Sequence, residues 1–261
     1  MKRGIIPSIK IKTGKNMIRA LLLGGAALLL SACGGGDGGS PAQTSAPTSS
    51  KSVLIEAYGD STTVGCTATP GATSEICPTA GYAMAATTEP QALQSLLRAS
   101  LGSSVTVSNK GIAGITADNL LNGTGREGGQ TWQTSMAVSK AQIVTINIGL
   151  NDAWKPNENF VADLQNIVST ARQYGKTIIL YTPNPALTPN SSVNANLLTY
   201  REQILQTAAS MNVTVVDDYS ITSLEQWAQV LPDGMHPTAQ GYEMKAQAEA
   251  YVLTPIVKAL M

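Results

Sequence analysis

The sequence predicts an α/β protein of three layers, a doubly wound parallel sheet of five strands with helices on both faces. Three observations carry the prediction. Short β-rich runs alternate with longer helical patterns along the chain. Those runs are continuously apolar or β-branched rather than polar at every second residue, as in strands covered on both faces. The residues able to do chemistry fall at the ends of these runs, where ligands bind in such sheets.

The five runs are 53–58, 104–109, 142–148, 177–182 and 213–217. Each is rich in Val, Ile, Leu or Thr and stops at Gly, Asn, Asp or Pro, the residues that break strands. Between and after them lie helical patterns at 89–101, 158–174, 193–211 and 238–260, with apolar residues recurring at helical spacing. Pro183-Asn184-Pro185 and Pro189 prevent either regular structure after the fourth run, so that segment is expected to loop over the carboxyl edge of the sheet.

The first 32 residues are expected to lie outside this fold. Lys2, Arg3, Lys10, Lys12, Lys15 and Arg19 make a basic leader, followed by the apolar run 20–30 and then Ser31-Ala32-Cys33. A basic segment, a short apolar segment and small residues describe a secretory signal; a membrane span needs about 20 apolar residues. The cysteine after the small residues resembles a bacterial lipobox, which implies cleavage before Cys33, lipidation there and a hold on the membrane. The Gly/Ser/Thr/Pro stretch 33–50 then reads as a flexible tether, and 51–261 as one domain. The expected location is the bacterial envelope, at the periplasmic face or cell surface; a soluble secreted form is the alternative.

Removing the six leader cations from 17 basic and 17 acidic residues leaves 11 against 17, a net charge of −6. That argues against nucleic acid as a partner, because phosphate binding needs a basic footprint. With Cys33 committed to lipid, Cys66 and Cys77 remain as a pair in an oxidising compartment, and a disulfide is expected; two free buried thiols are the alternative. The single histidine, His236, cannot supply the two or three imidazoles that catalytic zinc usually takes, so neither metal nor cofactor is expected. Nothing in the sequence specifies an assembly, and a monomer is the simplest expectation.

Four blocks carry the chemistry. Gly59-Asp60-Ser61 follows the first strand, and Asn109-Lys110-Gly111-Ile112-Ala113-Gly114 the second. Gly149-Leu150-Asn151-Asp152 follows the third, and Asp233-Gly234-Met235-His236 precedes the last helix. A serine hydroxyl becomes nucleophilic when an imidazole takes its proton, and an acid orients that imidazole. In this order the blocks resemble the GDSL, or SGNH, hydrolase family, with its flavodoxin-like sheet. The resemblance implies Ser61 as nucleophile, His236 as base and Asp233 as orienting acid. It also implies an oxyanion hole made by the Ser61 and Gly114 backbone N–H groups and the Asn151 amide. Asp152 is the rival acid, Asp60 reads as a brace for the serine turn, and Thr62 stands where the family often has leucine.

The resemblance implies a serine hydrolase acting on a small ester, with a short acyl or O-acetyl group, through an acyl-enzyme. The alternative is an acyltransferase or sugar O-deacetylase acting on cell-envelope or environmental glycans. Trp132 and Trp154, near the second and third blocks, are candidates to line a substrate pocket, with core or rim packing as the competing role.

Overall fold

The computed structural model describes residues 51–261; the expected signal segment 1–32, the tether 33–50 and the lipidation site Cys33 lie outside the described residues. Along the chain run β1 (Val53–Gly59), α1 (Ser61–Val64), β2 (Cys66–Ala68), β3 (Tyr82–Met84), α2 (Glu89–Leu101), β4 (Val105–Gly111), α3 (Ala117–Asn122) and α4 (Trp132–Val138). Then follow β5 (Ile143–Asn147), α5 (Leu150–Trp154), α6 (Phe160–Gln173), β6 (Thr177–Tyr181), α7 (Ser191–Met211), β7 (Thr214–Val216), α8 (Leu224–Val230) and α9 (Ala239–Leu260).

The main sheet has the order β4-β1-β5-β6-β7 with every neighbouring pair parallel. Counting only its own strands, the order is 2-1-3-4-5, the doubly wound arrangement in which the chain reverses direction beside the first strand. Alternate residues of each strand face opposite layers. Val53, Ile55, Ile143, Ile179 and Tyr181 pack with Leu93, Leu97 and Leu253 of α2 and α9. Val144, Ile146, Ile178 and Leu180 pack with Leu164, Ile167, Leu197 and Ile204 of α6 and α7. Both faces of the sheet are therefore covered, which is why its strands read as unbroken apolar runs.

Helix boundaries follow from local chemistry. Thr88 and Gln91 form a capping box at the start of α2, where Pro90 suits the first turn. The Asn190 side chain accepts from the Ser192 and Val193 N–H groups to start α7, and Asn212 ends it in a left-handed conformation at φ 51°. Outside the main sheet, β2 and β3 form an antiparallel ribbon in which Cys66 pairs with Met84 and Ala68 with Tyr82. The expected disulfide joins Cys66 to Cys77 across the loop of this ribbon.

Candidate active site

The carboxyl ends of β1, β4 and β5 converge on one shallow cavity of about 400 Å³. Ser61 enters it from the first position of α1, directly after β1. The turn is tight: a Cβ on Gly59 would stand 2.2 Å from Thr63 Oγ1 and 2.5 Å from the Asn147 carbonyl oxygen, so only glycine fits there. Asp60 caps α1, its Oδ1 accepting from the Thr62 N–H at 2.8 Å and the Thr62 hydroxyl at 2.9 Å. Thr62 Oγ1 in turn accepts from Asn147 Nδ2 at 3.3 Å. Thr62 thus ties the serine turn to β5. Burial pushes the Asp60 carboxyl up against the opposing pull of these two bonds. Asn109, at the end of β4, donates to the Thr63 carbonyl at 2.8 Å and holds α1 from the other side.

His236 reaches the serine from the turn before α9. Its Nε2 lies 2.9 Å from Ser61 Oγ, and its Nδ1 lies 2.7 Å from Asp233 Oδ2. The turn holds itself together, because Asp233 Oδ1 accepts the backbone N–H groups of Met235 at 2.9 Å and His236 at 2.7 Å. Burial alone would raise the Asp233 carboxyl. The ring and backbone hydrogen bonds of His236, its charge and the Met235 N–H outweigh that and hold Asp233 well below the usual carboxylate range. The turn is also clamped from outside: the buried Asn184 donates to the Met235 carbonyl at 2.9 Å, and the Leu187 N–H donates to the Gly234 carbonyl at 2.7 Å. The proline-rich segment after β6 is therefore a brace for the histidine turn.

Gly114 and Asn151 line the same cavity as Ser61 and His236. Gly114 has φ 85°, and a Cβ there would meet nothing within 4 Å, so backbone conformation rather than space asks for glycine. Asn151 sits in α5 and spends one amide N–H on the Ile115 carbonyl at 3.0 Å. Asp152 points elsewhere: it is fully buried and accepts the Ala117 N–H at the start of α3, at 3.2 Å to one oxygen and 3.3 Å to the other. Burial, partly offset by that bond, pushes its carboxyl up to about 6. Of the two rival acids, Asp233 is the one that touches the imidazole.

One expected pocket residue is corrected. Trp132 is fully buried, stacks edge-on against Tyr58 and donates its indole N–H to the Ile167 carbonyl at 2.8 Å. It belongs to the core between α4 and α6, where a large ring whose N–H finds a buried carbonyl packs well. Trp154 is 44% exposed and stands behind Met235, its indole N–H directed at the Met235 sulfur at 3.1 Å; Met235 itself lines the cavity. The remaining wall was not anticipated beyond the disulfide. Pro78 and Thr79, just after Cys77, Tyr82 of β3 and Arg126 of the loop after α3 complete it.

No histidine or cysteine ligand cluster occurs among the described residues. Glu89, Asp218 and Glu249 lie close enough to share one cation, and the fully buried ammonium of Lys245 is that cation, paired with Glu89 and 3.4 Å from Asp218.

Comparison with known proteins identifies the family and supports the fold. Residues 57–244 match the GDSL-like Lipase/Acylhydrolase family. Over 143 residues the chain is 24% identical to an acetylxylan esterase of Xylanibacter ruminicola, a match covering 44% of this chain and only 29% of that longer relative. Among solved structures, an acetylxylan esterase from Geobacillus stearothermophilus is 23% identical, with 77% of this chain and 94% of that one aligned at a TM-score of 0.57. An aryl esterase from M. smegmatis is 16% identical, with 80% and 100% aligned at a TM-score of 0.63.

Proposed function

The chain belongs to the GDSL-like lipase/acylhydrolase family, and from that premise we propose that it hydrolyses ester bonds as a serine esterase removing short acyl groups, O-acetyl groups of sugars foremost. The observation that carries the proposal is the continuous hydrogen-bonded chain from Ser61 through His236 to Asp233 at the floor of an open cavity. In this mechanism Ser61 Oγ attacks the ester carbonyl carbon while its proton passes to His236 Nε2. Asp233 holds the Nδ1–H tautomer and stabilises the imidazolium that forms. The oxyanion is received by the Ser61 N–H, unused by α1 because it lies in the first turn, by the Gly114 N–H, and by the second Asn151 amide hydrogen. Collapse expels the alcohol, which takes the proton from His236. Water then attacks the acyl-serine with His236 again as base, and the carboxylic acid leaves.

The short acyl group is supported by the small residues Ala113 and Gly114 and the disulfide around the cavity. The sugar is supported by the acetylxylan esterases among the similar proteins. A panel of p-nitrophenyl esters of increasing chain length, with acetylated xylo-oligosaccharides, tests both on the 51–261 domain and its Ser61→Ala variant. Acetate esters should turn over fastest and the variant should lose activity by several orders of magnitude. An active Ser61→Ala variant, or a preference for long acyl chains, would overturn the proposal.

We also propose export and lipid anchoring through Cys33. No helix of the described residues is long and apolar enough to cross a membrane; the hold proposed here is the lipid on Cys33. Full-length protein made in a bacterium with two membranes should take up labelled palmitate and sediment with membranes, and Cys33→Ser should abolish both. Unlabelled full-length protein would exclude the anchor.

A further inference from the structure

The two oxygens of Asp233 have different partners. Oδ1 is fixed by the backbone N–H groups of Met235 and His236. Oδ2 accepts from His236 Nδ1 at 2.7 Å and also from the Tyr82 hydroxyl at 2.8 Å. Tyr82 comes from β3, 151 residues before Asp233 in sequence, and its ring stands edge-on to the His236 ring, with centroids 5.0 Å apart and an interplanar angle of 65°. No other side chain of the β2–β3 ribbon has a hydrogen bond to the acid–base pair among the described contacts.

We propose that Tyr82 is a positioning residue that sets the basicity of His236 by sharing the Asp233 oxygen on which the imidazole depends. The proposal rests on the assignment of His236 as base. A carboxylate oxygen that accepts two hydrogen bonds gives each donor less of its charge. Without the Tyr82 hydroxyl, Oδ2 serves the imidazole alone. The protonated ring is then favoured and keeps its proton to higher pH. Because Oδ1 remains held by two N–H groups, the carboxylate stays in place and the change is electrostatic. Burial first, and then the hydrogen bond to Asp233 and its charge, push the Tyr82 hydroxyl up to about 12, so it remains a donor at every working pH. The other charged or titratable groups facing the pair are Asp60, whose charge acts on His236, Tyr242, which feels Asp233, and Arg126 on the cavity wall. None is altered by a change at Tyr82.

His236 is the sole histidine of the chain, so one imidazole resonance reports its titration directly. The experiment is an NMR pH titration of that resonance in the wild type and in Tyr82→Phe, paired with the pH profile of kcat/KM on an activated acetate ester. Phenylalanine keeps the ring beside His236 and removes only the hydroxyl. The titration midpoint and the acidic limb of the profile should both move to higher pH, by up to about one unit. The loss of activity should be several-fold on the acidic side and shrink towards the alkaline plateau. An unmoved NMR midpoint overturns the proposal, as does a uniform loss of activity with an unmoved limb, which is what a merely structural tyrosine would give. The two readouts also separate this inference from the esterase assignment. A shifted midpoint in a protein without esterase activity upholds Tyr82 and refutes the enzyme, whereas an active enzyme with an unmoved midpoint does the reverse.

Discussion

Asp233 is partly buried and Asp152 fully so, and their partners separate them further. Asp233 spends one oxygen on its own turn and the other on the imidazole, while Asp152 spends both on the Ala117 N–H. Asp233→Asn should therefore leave the fold intact and lower kcat by roughly 10⁴, because an amide at that position favours the wrong imidazole tautomer. Asp152→Ala should keep kcat within a few-fold and instead lower stability by about 1–3 kcal/mol, the cost of stranding a buried N–H. Urea melts and steady-state kinetics on the two variants check the pair; exchanged behaviour would make Asp152 the orienting acid. In the proposed mechanism Asn151 differs from both, because its second amide hydrogen would act only when the carbonyl oxygen becomes an anion. Asn151→Ala should lower kcat by roughly 10²–10³ with little change in KM. An equal change in KM would assign it to ground-state binding.

Among the elements, the β2–β3 ribbon has the most influence for its size. It carries Tyr82 onto Asp233, and Cys66 and Cys77 close its loop and line the cavity. Replacing both cysteines by serine frees a loop whose cross-link is worth about 3 kcal/mol in the chain-entropy model, or roughly 6–12 °C of Tm for a domain of this size. The same variant should shift the acidic limb of activity in the direction expected of Tyr82→Phe, since the strand bearing the hydroxyl loses its staple. Calorimetry and a pH profile check the two effects separately. This ribbon also marks where the sequence stops being legible. The long elements declare themselves by period: α2 occupies 89–101 as expected, and the strands and the longer helices fall within two residues of expectation. Three-residue strands such as Cys66–Ala68 and four- or five-residue helices such as Ser61–Val64 and Leu150–Trp154 span too little chain for any period to show. Ser61, His236 and Asp233, which the structure brings into hydrogen-bond contact, were legible in the sequence because their residue types and spacing are chemically restrictive. Tyr82 and Asn184 were not, since a tyrosine or asparagine in a loop carries no signal until the fold places it 2.8–2.9 Å from its partner. Trp132 stood as a pocket candidate with core packing as its rival, because its sequence neighbourhood says nothing about which way the ring turns; the core reading is the one the structure shows.

At the scale of the whole molecule, two groups of acidic residues respond to pH in opposite senses. The catalytic turn contains Asp233, held below the usual carboxylate range, so its contribution to stability is present above about pH 4 and fades only in strong acid. Beneath α2 and α9, Glu89, Asp218 and Glu249 surround Lys245 with more negative charge than one ammonium can balance. Burial raises the Asp218 carboxyl to about 8, with Lys245 opposing and Glu89 adding to the rise, and burial with the neighbouring carboxylates raises Glu249 as well. A carboxyl raised from 3.8 to about 8 keeps a proton in the folded state that the unfolded chain has already released. Its stabilising contribution is therefore complete below about pH 4 and is lost progressively as the pH rises to about 8. Asp152, raised to about 6, acts in the same direction but is spent by that pH. The buried Asp60 carboxyl is raised as well, so between pH 6 and 8 the comparison with Asp218→Asn is what isolates the buried cluster. The Tm of the 51–261 domain should fall across that interval, and Asp218→Asn, which keeps the shape but cannot ionise, should flatten the fall. Lys245→Met should act in the opposite sense, costing about 3–5 kcal/mol near neutral pH because three buried carboxylates lose their cation. Thermal melts of the three proteins between pH 5 and 9 measure this, and an Asp218→Asn slope equal to that of the wild type would show that the cluster keeps its charges fixed throughout.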